Sequence, residues 1–351
     1  MSARGIVAGW LSGLLLALAS QADEPAARPR GEPGSRLGSA GASTEYWDLL
    51  AQLDSGHRVF ARFSITNEGP GEQTAYALGH VVDPKGNAFR FQNGRKEGHW
   101  TLHDGGHHLE IGSSELFLRG PERRLFIEKP KKGVVLDLRF TPPPLGRPQD
   151  PGLRGYFVDL LHAATPVQGT LQLTQEMSAP IAVRGTIACA HTWMEASEPE
   201  LSVRRIDFYS LPPDPAAPAI YLSAISTPSG AHAQRVFVER SGEVLVDEAG
   251  SELALGPPAG FALRPGYGIP SSLEVRAPGL SGRIRLSRPL LEDDPMGVIP
   301  QPFRWLMSLQ SRPHRVWIES PFEVRVPGAR QASQQSLRGV GVTALNFLNP
   351  L

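Results

Sequence analysis

The chain has 351 residues, 40% of them hydrophobic and 20% charged, which is enough for a buried core and for two domains. With 35 basic against 35 acidic side chains the formal net charge is zero, so no global field draws it onto nucleic acid or an anionic membrane. Its one cysteine, Cys189, excludes an intramolecular disulfide and a thiolate metal cluster.

In chain order, residues 1–22 have the three-part build of a secretory signal. Arg4 supplies the positive end, Ile6 to Leu18 the apolar stretch, and Ala17, Ala19 and Ala22 the small residues of a cleavage site. The apolar run is shorter than the roughly 20 residues a transmembrane helix needs. The expectation is an exported protein, periplasmic or extracellular, with no integral membrane segment once the signal is removed. Residues 23–43 carry no aromatic or β-branched side chain and read as a disordered linker.

From Glu45 onward the dominant pattern is period two. Val59, Ala61, Phe63 and Ile65 share one face, as do Val134, Leu136, Leu138 and Phe140. Similar runs recur at 169–174, 183–192, 203–211, 219–225, 235–240, 273–276, 283–286, 315–318 and 322–326. Turn signals separate many of them, at Asp83-Pro84-Lys85-Gly86, Asn93-Gly94, Asp104-Gly105-Gly106, Ser241-Gly242 and Pro278-Gly279. Only Ser43–Leu53 and Gln301–Gln310, with Phe303, Leu306, Met307 and Gln310 on one face, have a helical pattern. The fold class expected is all-β, with few short helices and two consecutive antiparallel barrels or sandwiches. Residues 44–179 form the first module, closed by a strand pair over 155–174, and residues 180–351 form the second. Pro-rich Thr141–Asp150 is the other place where the boundary could fall.

Four histidines crowd one hairpin, His99, His103, His107 and His108, with Glu110 nearby. Solvated histidines at a loop tip explain them better than a metal, and no metal or other cofactor is expected. No nucleophile elbow, phosphate-cradling loop or zinc-protease helix motif is present.

The residues that point to chemistry lie at 183–211. Alternation puts Ile187, Cys189, His191 and Trp193 on one face of a strand, and Val203, Arg205, Asp207 and Tyr209 on one face of the next. Paired face to face, these strands would bring an imidazole, an indole, a carboxylate and a guanidinium into one apolar cavity. This Gly-Thr-x-x-x-x-His-x-Trp strand (Gly185 to Trp193), followed by a strand carrying Asp207, resembles the carotenoid 1,2-hydratase and AttH-type group of paired lipocalin-like proteins. The region of Tyr46-Trp47, the 86–91 hairpin and Leu337–Thr343 are similar to that group as well.

The resemblance implies two lipocalin-like barrels packed together, a hydrophobic ligand near their junction, and cofactor-free hydration or cyclisation of an isoprenoid or other lipid. On that footing Asp207 is the candidate acid and His191 its partner, with Trp193, Arg205 and Tyr209 contacting ligand. The chain departs from the group's pattern at Ala190, where an acid usually precedes the histidine, and at Met194, where a glycine follows the tryptophan. The alternative is a non-catalytic lipid carrier or envelope structural protein; either would be a monomer.

Overall fold

The structure, a computed structural model, describes residues 30–37, 43–67, 73–143, 146–149, 152–214, 216–260, 267–298, 311–327 and 334–348, with a few positions between 301 and 308. The expected signal segment and the helical positions Phe303, Leu306, Met307 and Gln310 lie outside the described residues.

The first sheet has twelve strands. They are Thr44–Leu53 (β1), Arg58–Thr66 (β2), Thr74–Val82 (β3), Ala88–Arg95 (β4), Thr101–His103 (β5) and His108–Ile111 (β6). Ser114–Phe117 (β7), Arg123–Lys129 (β8), Val134–Phe140 (β9), Arg147–Pro148 (β10), Tyr156–Leu173 (β11) and Ile181–Met194 (β12) complete it. The second sheet begins with Arg204–Tyr209 (β13), Ala219–Ser226 (β14), His232–Arg240 (β15), Glu243–Ala249 (β16) and Glu252–Leu255 (β17). It ends with Ser272–Ala277 (β18), Leu280–Arg285 (β19), Arg288–Asp293 (β20), His314–Pro327 (β21) and Gln334–Phe347 (β22).

Every pairing is antiparallel, and the two sheets share one plan. Four strands run outward as a meander, β1 to β4 or β13 to β16, and the last strand of the unit returns to pair with the first, β12 on β1 and β22 on β13. Each sheet curls around its own apolar core. Trp47, Phe63, Phe91, Leu136 and Ile187 are among those filling the first, and Phe208, Val236, Ile318 and Phe347 the second. The expected pair of lipocalin-like units is therefore present, as two curled half-barrel sheets.

Several local expectations differ. The stretch Ser43–Leu53 holds the strand β1, whose burial is nearly continuous because Trp47, Leu49 and Ala51 fill the first core while Tyr46 and Leu50 face the second sheet. A strand covered on both sides loses the alternation that would identify it. The expected strand pair over 155–174 is the single 18-residue strand β11, with register irregularities between Leu160 and Thr165. Asn93-Gly94 lies inside β4, where Gly94 sits beneath the Tyr76 ring.

The chain passes between sheets at 195–203, so Ile181–Met194, expected to open the second unit, instead lies in the first, between β1 and β11. Its Gly185 has no room for a side chain, since a Cβ there would stand 2.1 Å from the Gln52 carbonyl oxygen. Residues 30–37, within the expected linker, pack against the first sheet, and Gly31, Pro33 and Gly34 are buried. Leu50, Phe60, Leu160 and Ala188 of one sheet meet Tyr209, Tyr221, Phe237 and Trp317 of the other in a shared apolar layer.

Candidate functional site

The two strands expected to pair, β12 and β13, belong to different sheets. Their facing sides differ from the expectation in a way that separates the candidate residues. Ile187, Cys189, His191 and Trp193 point toward the first unit, and Ala188, Thr192 and Met194 point toward the second. Arg205 and Tyr209 face β12 across the junction, whereas Ile206 and Phe208 fill the second core. Asp207 lies on the junction side with Arg205. His191 and Asp207 are thus on opposite sides of β12, and the cavity that would contain both is not formed.

His191 is fully buried, stacked on Trp47 at 4.5 Å and 8°, with its Nε2 3.2 Å from Glu45 Oε2. Residues 30–37 close this place. The Arg36 backbone N–H donates to Glu45 (2.7 Å), Ser35 Oγ donates to the same carboxylate, and Trp47 Nε1–H donates to the Pro33 carbonyl (3.2 Å). Arg30 and Arg36 flank the Trp193 ring at 5.0 and 4.7 Å, and Arg30 also binds Asp159, which is itself fully buried. Cys189 is buried among apolar side chains, and burial pushes its thiol up to about 12, which makes it a poor nucleophile.

On the junction side the polar groups form a connected network. Arg205 Nε stands 2.7 Å from Asp207 Oδ2, and its Nη1 donates to Thr192 Oγ1 (2.7 Å) and more distantly to the hydroxyls of Tyr46 and Tyr156 (both 3.3 Å). Tyr221 donates to Asp207 Oδ1 (2.9 Å). Burial works against the Arg205 charge, but Asp207 and the surrounding tyrosines outweigh it and keep the group a cation. Asp207 is thus held by an arginine and a phenol, and Arg205 and Asp207 form a buried ion pair. Tyr209 is buried against Tyr221 at 5.1 Å between ring centroids.

The residue that carries this network toward solvent was missed by sequence reasoning. Glu198 begins a four-residue helix, Glu198–Leu201 (α1), in the crossover between sheets. Its Oε1 accepts hydrogen bonds from Tyr46 (3.0 Å) and Tyr156 (3.1 Å). Burial, followed by Glu198, pushes Tyr46 up to about 12, and burial and Tyr46 raise Tyr156 well above the ordinary range. Both phenols therefore keep their protons at neutral pH and remain donors. The only signal in the sequence was an acidic segment, Glu195 to Glu200, directly after a strand.

Glu198 lines a cleft of about 500 Å³ between the sheets. Arg62, Met296, His314, Arg315, Asn346, Phe347 and Leu348 also line it. Arg62 lies 3.7 Å over the Tyr46 ring and grips Asp48 with two hydrogen bonds of 2.6 and 2.5 Å. The cleft is thus apolar along Met296 and Leu348 and charged along Glu198, Arg62 and Arg315. Half-buried space with a few placed polar groups is the usual form of a small-ligand site.

The histidine hairpin is an ordinary surface turn. His103 pairs with His108 in register, His108 Nε2 lies 3.3 Å from Glu110, and His107 Nε2 lies 3.4 Å from Glu32. Among the described residues no group of three metal-ligating side chains could hold an ion. None of their helices is long and apolar enough to cross a membrane.

No protein-family model and no curated protein matches this chain by sequence. Solved structures do. The chain is similar to an AttH protein of Nitrosomonas europaea, with a TM-score of 0.61 and 14% identity over 92% of this chain and 100% of that one. CghA, solved with Sch210972, gives 0.60 and 11% over 92% and 97%. Kievitone hydratase from Nectria haematococca gives 0.55 and 10% over 91% and 98%. The resemblance in the His-x-Trp region thus extends to nearly the whole chain as a shared fold, the paired lipocalin-like architecture.

Proposed function

We propose that this chain, which shares the fold of AttH, CghA and kievitone hydratase, is an exported protein that binds a largely apolar small molecule in the inter-sheet cleft and carries out proton-transfer chemistry on it. Hydration, dehydration or cyclisation are the reaction types in view, and one of the fold's neighbours is named as a hydratase. The observation that carries the reading is the convergence of Tyr46 and Tyr156 on Glu198 Oε1 at the wall of the cleft. One carboxylate oxygen is pinned by two phenols backed by the Arg205 cation, and Oε2, with no donor among the described residues, is left for a ligand.

Glu198 is the proton acceptor in this scheme, and Tyr46, Tyr156 and Arg205 position it. Asp207 acts one step further back, by holding Arg205, and His191 supports the first unit. A base next to a carbonyl-activated carbon suits this geometry better than protonation of a bare alkene, which needs a strong acid. Phenols that hold their protons as firmly as Tyr46 are not strong acids.

The test uses wild type, Glu198→Gln and Tyr46→Phe/Tyr156→Phe, each equilibrated with a lipid extract in H2-18O and re-extracted for mass spectrometry. The expected result is one compound bound by all three proteins. Only wild type should return part of it changed by one water or rearranged at equal mass, with Glu198→Gln slower by about 10²–10⁴-fold, the usual contribution of a positioned acid or base. A compound returned unchanged by wild type makes the chain a carrier. Absence of any bound compound overturns the reading.

A further inference from the structure

Arg315 is 5% exposed and lines the same cleft as Glu198. It stands on β21, opposite Asn346 on β22 and Asp293 on β20. Its Nε donates to Asn346 Oδ1 at 2.6 Å. Its two terminal nitrogens donate to no group among the described residues. Of the nearby carboxylates, Asp48 is gripped by Arg62, and Asp293, opposite Arg315, lies 3.9 Å from Arg90. Burial first, and then the neighbouring Arg62 guanidinium, hold Arg315 below the ordinary arginine range despite Asp48 and Asp293. A cation so placed gains from an anion brought to it.

We infer that the cleft selects an organic acid, whose carboxylate is taken by the terminal nitrogens of Arg315 beside Asn346 and whose apolar body lies along Met296 and Leu348. The planar fork of two N–H groups matches the two oxygens of a carboxylate, and such charge-assisted pairs are the strong ones in a partly dry site. The inference rests on the cleft being the ligand site, and it adds the ligand's head group to that reading. It also assigns the two ends of the cleft different tasks, anchoring at Arg315 and proton transfer at Glu198.

The probe is cis-parinaric acid, compared with its methyl ester, each titrated at pH 8 by its own fluorescence into wild type, Arg315→Met, Arg315→Lys and Met296→Trp. In wild type the acid should bind roughly tenfold or more tighter than the ester, because only the acid offers a charge to the fork. Arg315→Met should bring the two to equal affinity by weakening the acid alone, and Arg315→Lys should keep part of the preference. Should Arg315→Met fail to fold, the wild-type comparison and Arg315→Lys decide. Equal binding of acid and ester by wild type, or a preference that survives Arg315→Met, overturns the organic-acid inference and leaves the cleft reading standing. Binding of neither probe, or binding that Met296→Trp leaves unchanged, overturns the cleft reading itself.

Discussion

On one side of β12, His191, Glu45 and Asp159 are buried beneath residues 30–37; on the other, Arg205 and Asp207 stand behind Glu198 at an open cleft. Both regions combine carboxylates, an imidazole or guanidinium group and aromatic side chains. They differ in what completes them. In the first, the chain supplies its own donors, since Glu45 and Asp159 each receive a backbone N–H and a side-chain donor from the 30–37 segment. In the second, Glu198 and Arg315 are each held by part of their side chain and keep atoms facing the cleft. A polar group that the chain has satisfied is part of the structure, whereas one only half satisfied at a cleft is placed to meet something else.

The comparison is broken most severely by removing the cation behind the cleft. Arg205→Met leaves Asp207 buried, with Tyr221 as its remaining hydrogen-bond donor. An uncompensated buried charge of this kind costs about 3–5 kcal/mol, against a folded-state margin that is itself small. The expected outcome is a large fall in the urea midpoint together with loss of ligand binding. Arg205→Met/Asp207→Leu should recover much of the stability, because the burden is the orphaned charge. A single variant as stable as wild type would show that the network is not structural.

The histidine of β11 sharpens the comparison from the other direction. His162 is fully buried between Arg123 and Phe140, with neither ring nitrogen hydrogen-bonded among the described residues. Burial, and Arg123 after it, lower its pKa well below the ordinary value, so the folded protein holds it neutral. The unfolded chain takes up that proton below about pH 6.5. Stability from this group is therefore complete above that pH and is lost as the pH falls toward the folded value. His162→Leu removes the desolvated ring and should raise stability by about 1–3 kcal/mol at pH 7, the cost of a buried unpaired polar group. The gain should be larger at pH 5. His80, lowered to about 4 chiefly by burial, keeps a residual slope in the variant. Urea midpoints at the two pH values measure both effects, and ligand binding should not change.

Much of the fold was legible in alternation and turns, because most strands present one face to a core and one to solvent. The runs at Val59–Ile65 and Val134–Phe140 became β2 and β9 with the expected inward faces. Legibility failed where strands are buried twice. β1 resembled a helix because the second sheet covers the side that would ordinarily be polar. The Arg205–Asp207 pair could be read, since residues two apart on a strand share a face. The separation of His191 from Asp207 could not, because face parity says which side of its own strand a residue occupies but not which sheet that strand joins. Glu198 had no periodic signal at all. Its role comes from two tyrosines distant in sequence, Tyr46 and Tyr156, that only the pairing of β1 and β11 with β12 brings together.

The smallest expected effect tests the sealed side alone. Arg30→Met removes the hydrogen bonds of Arg30 to Asp159 Oδ1 (2.8 Å) and to the Val158 carbonyl (2.8 Å), and its cation over Trp193. Asp159 keeps the Gly31 N–H at 2.6 Å, and the Arg30 side chain is already partly exposed, so the loss should be about 1 kcal/mol. The effect should be local. Amide exchange should quicken at Gly31, Ser35 and Arg36, whose N–H groups bond to Asp159, the Gly106 carbonyl and Glu45. Parinarate affinity should stay at the wild-type value, because no atom of the 30–37 segment lines the cleft. A parallel loss of affinity would mean that the two sides of β12 are coupled through the strand, and that His191 and its lid act on the cleft after all.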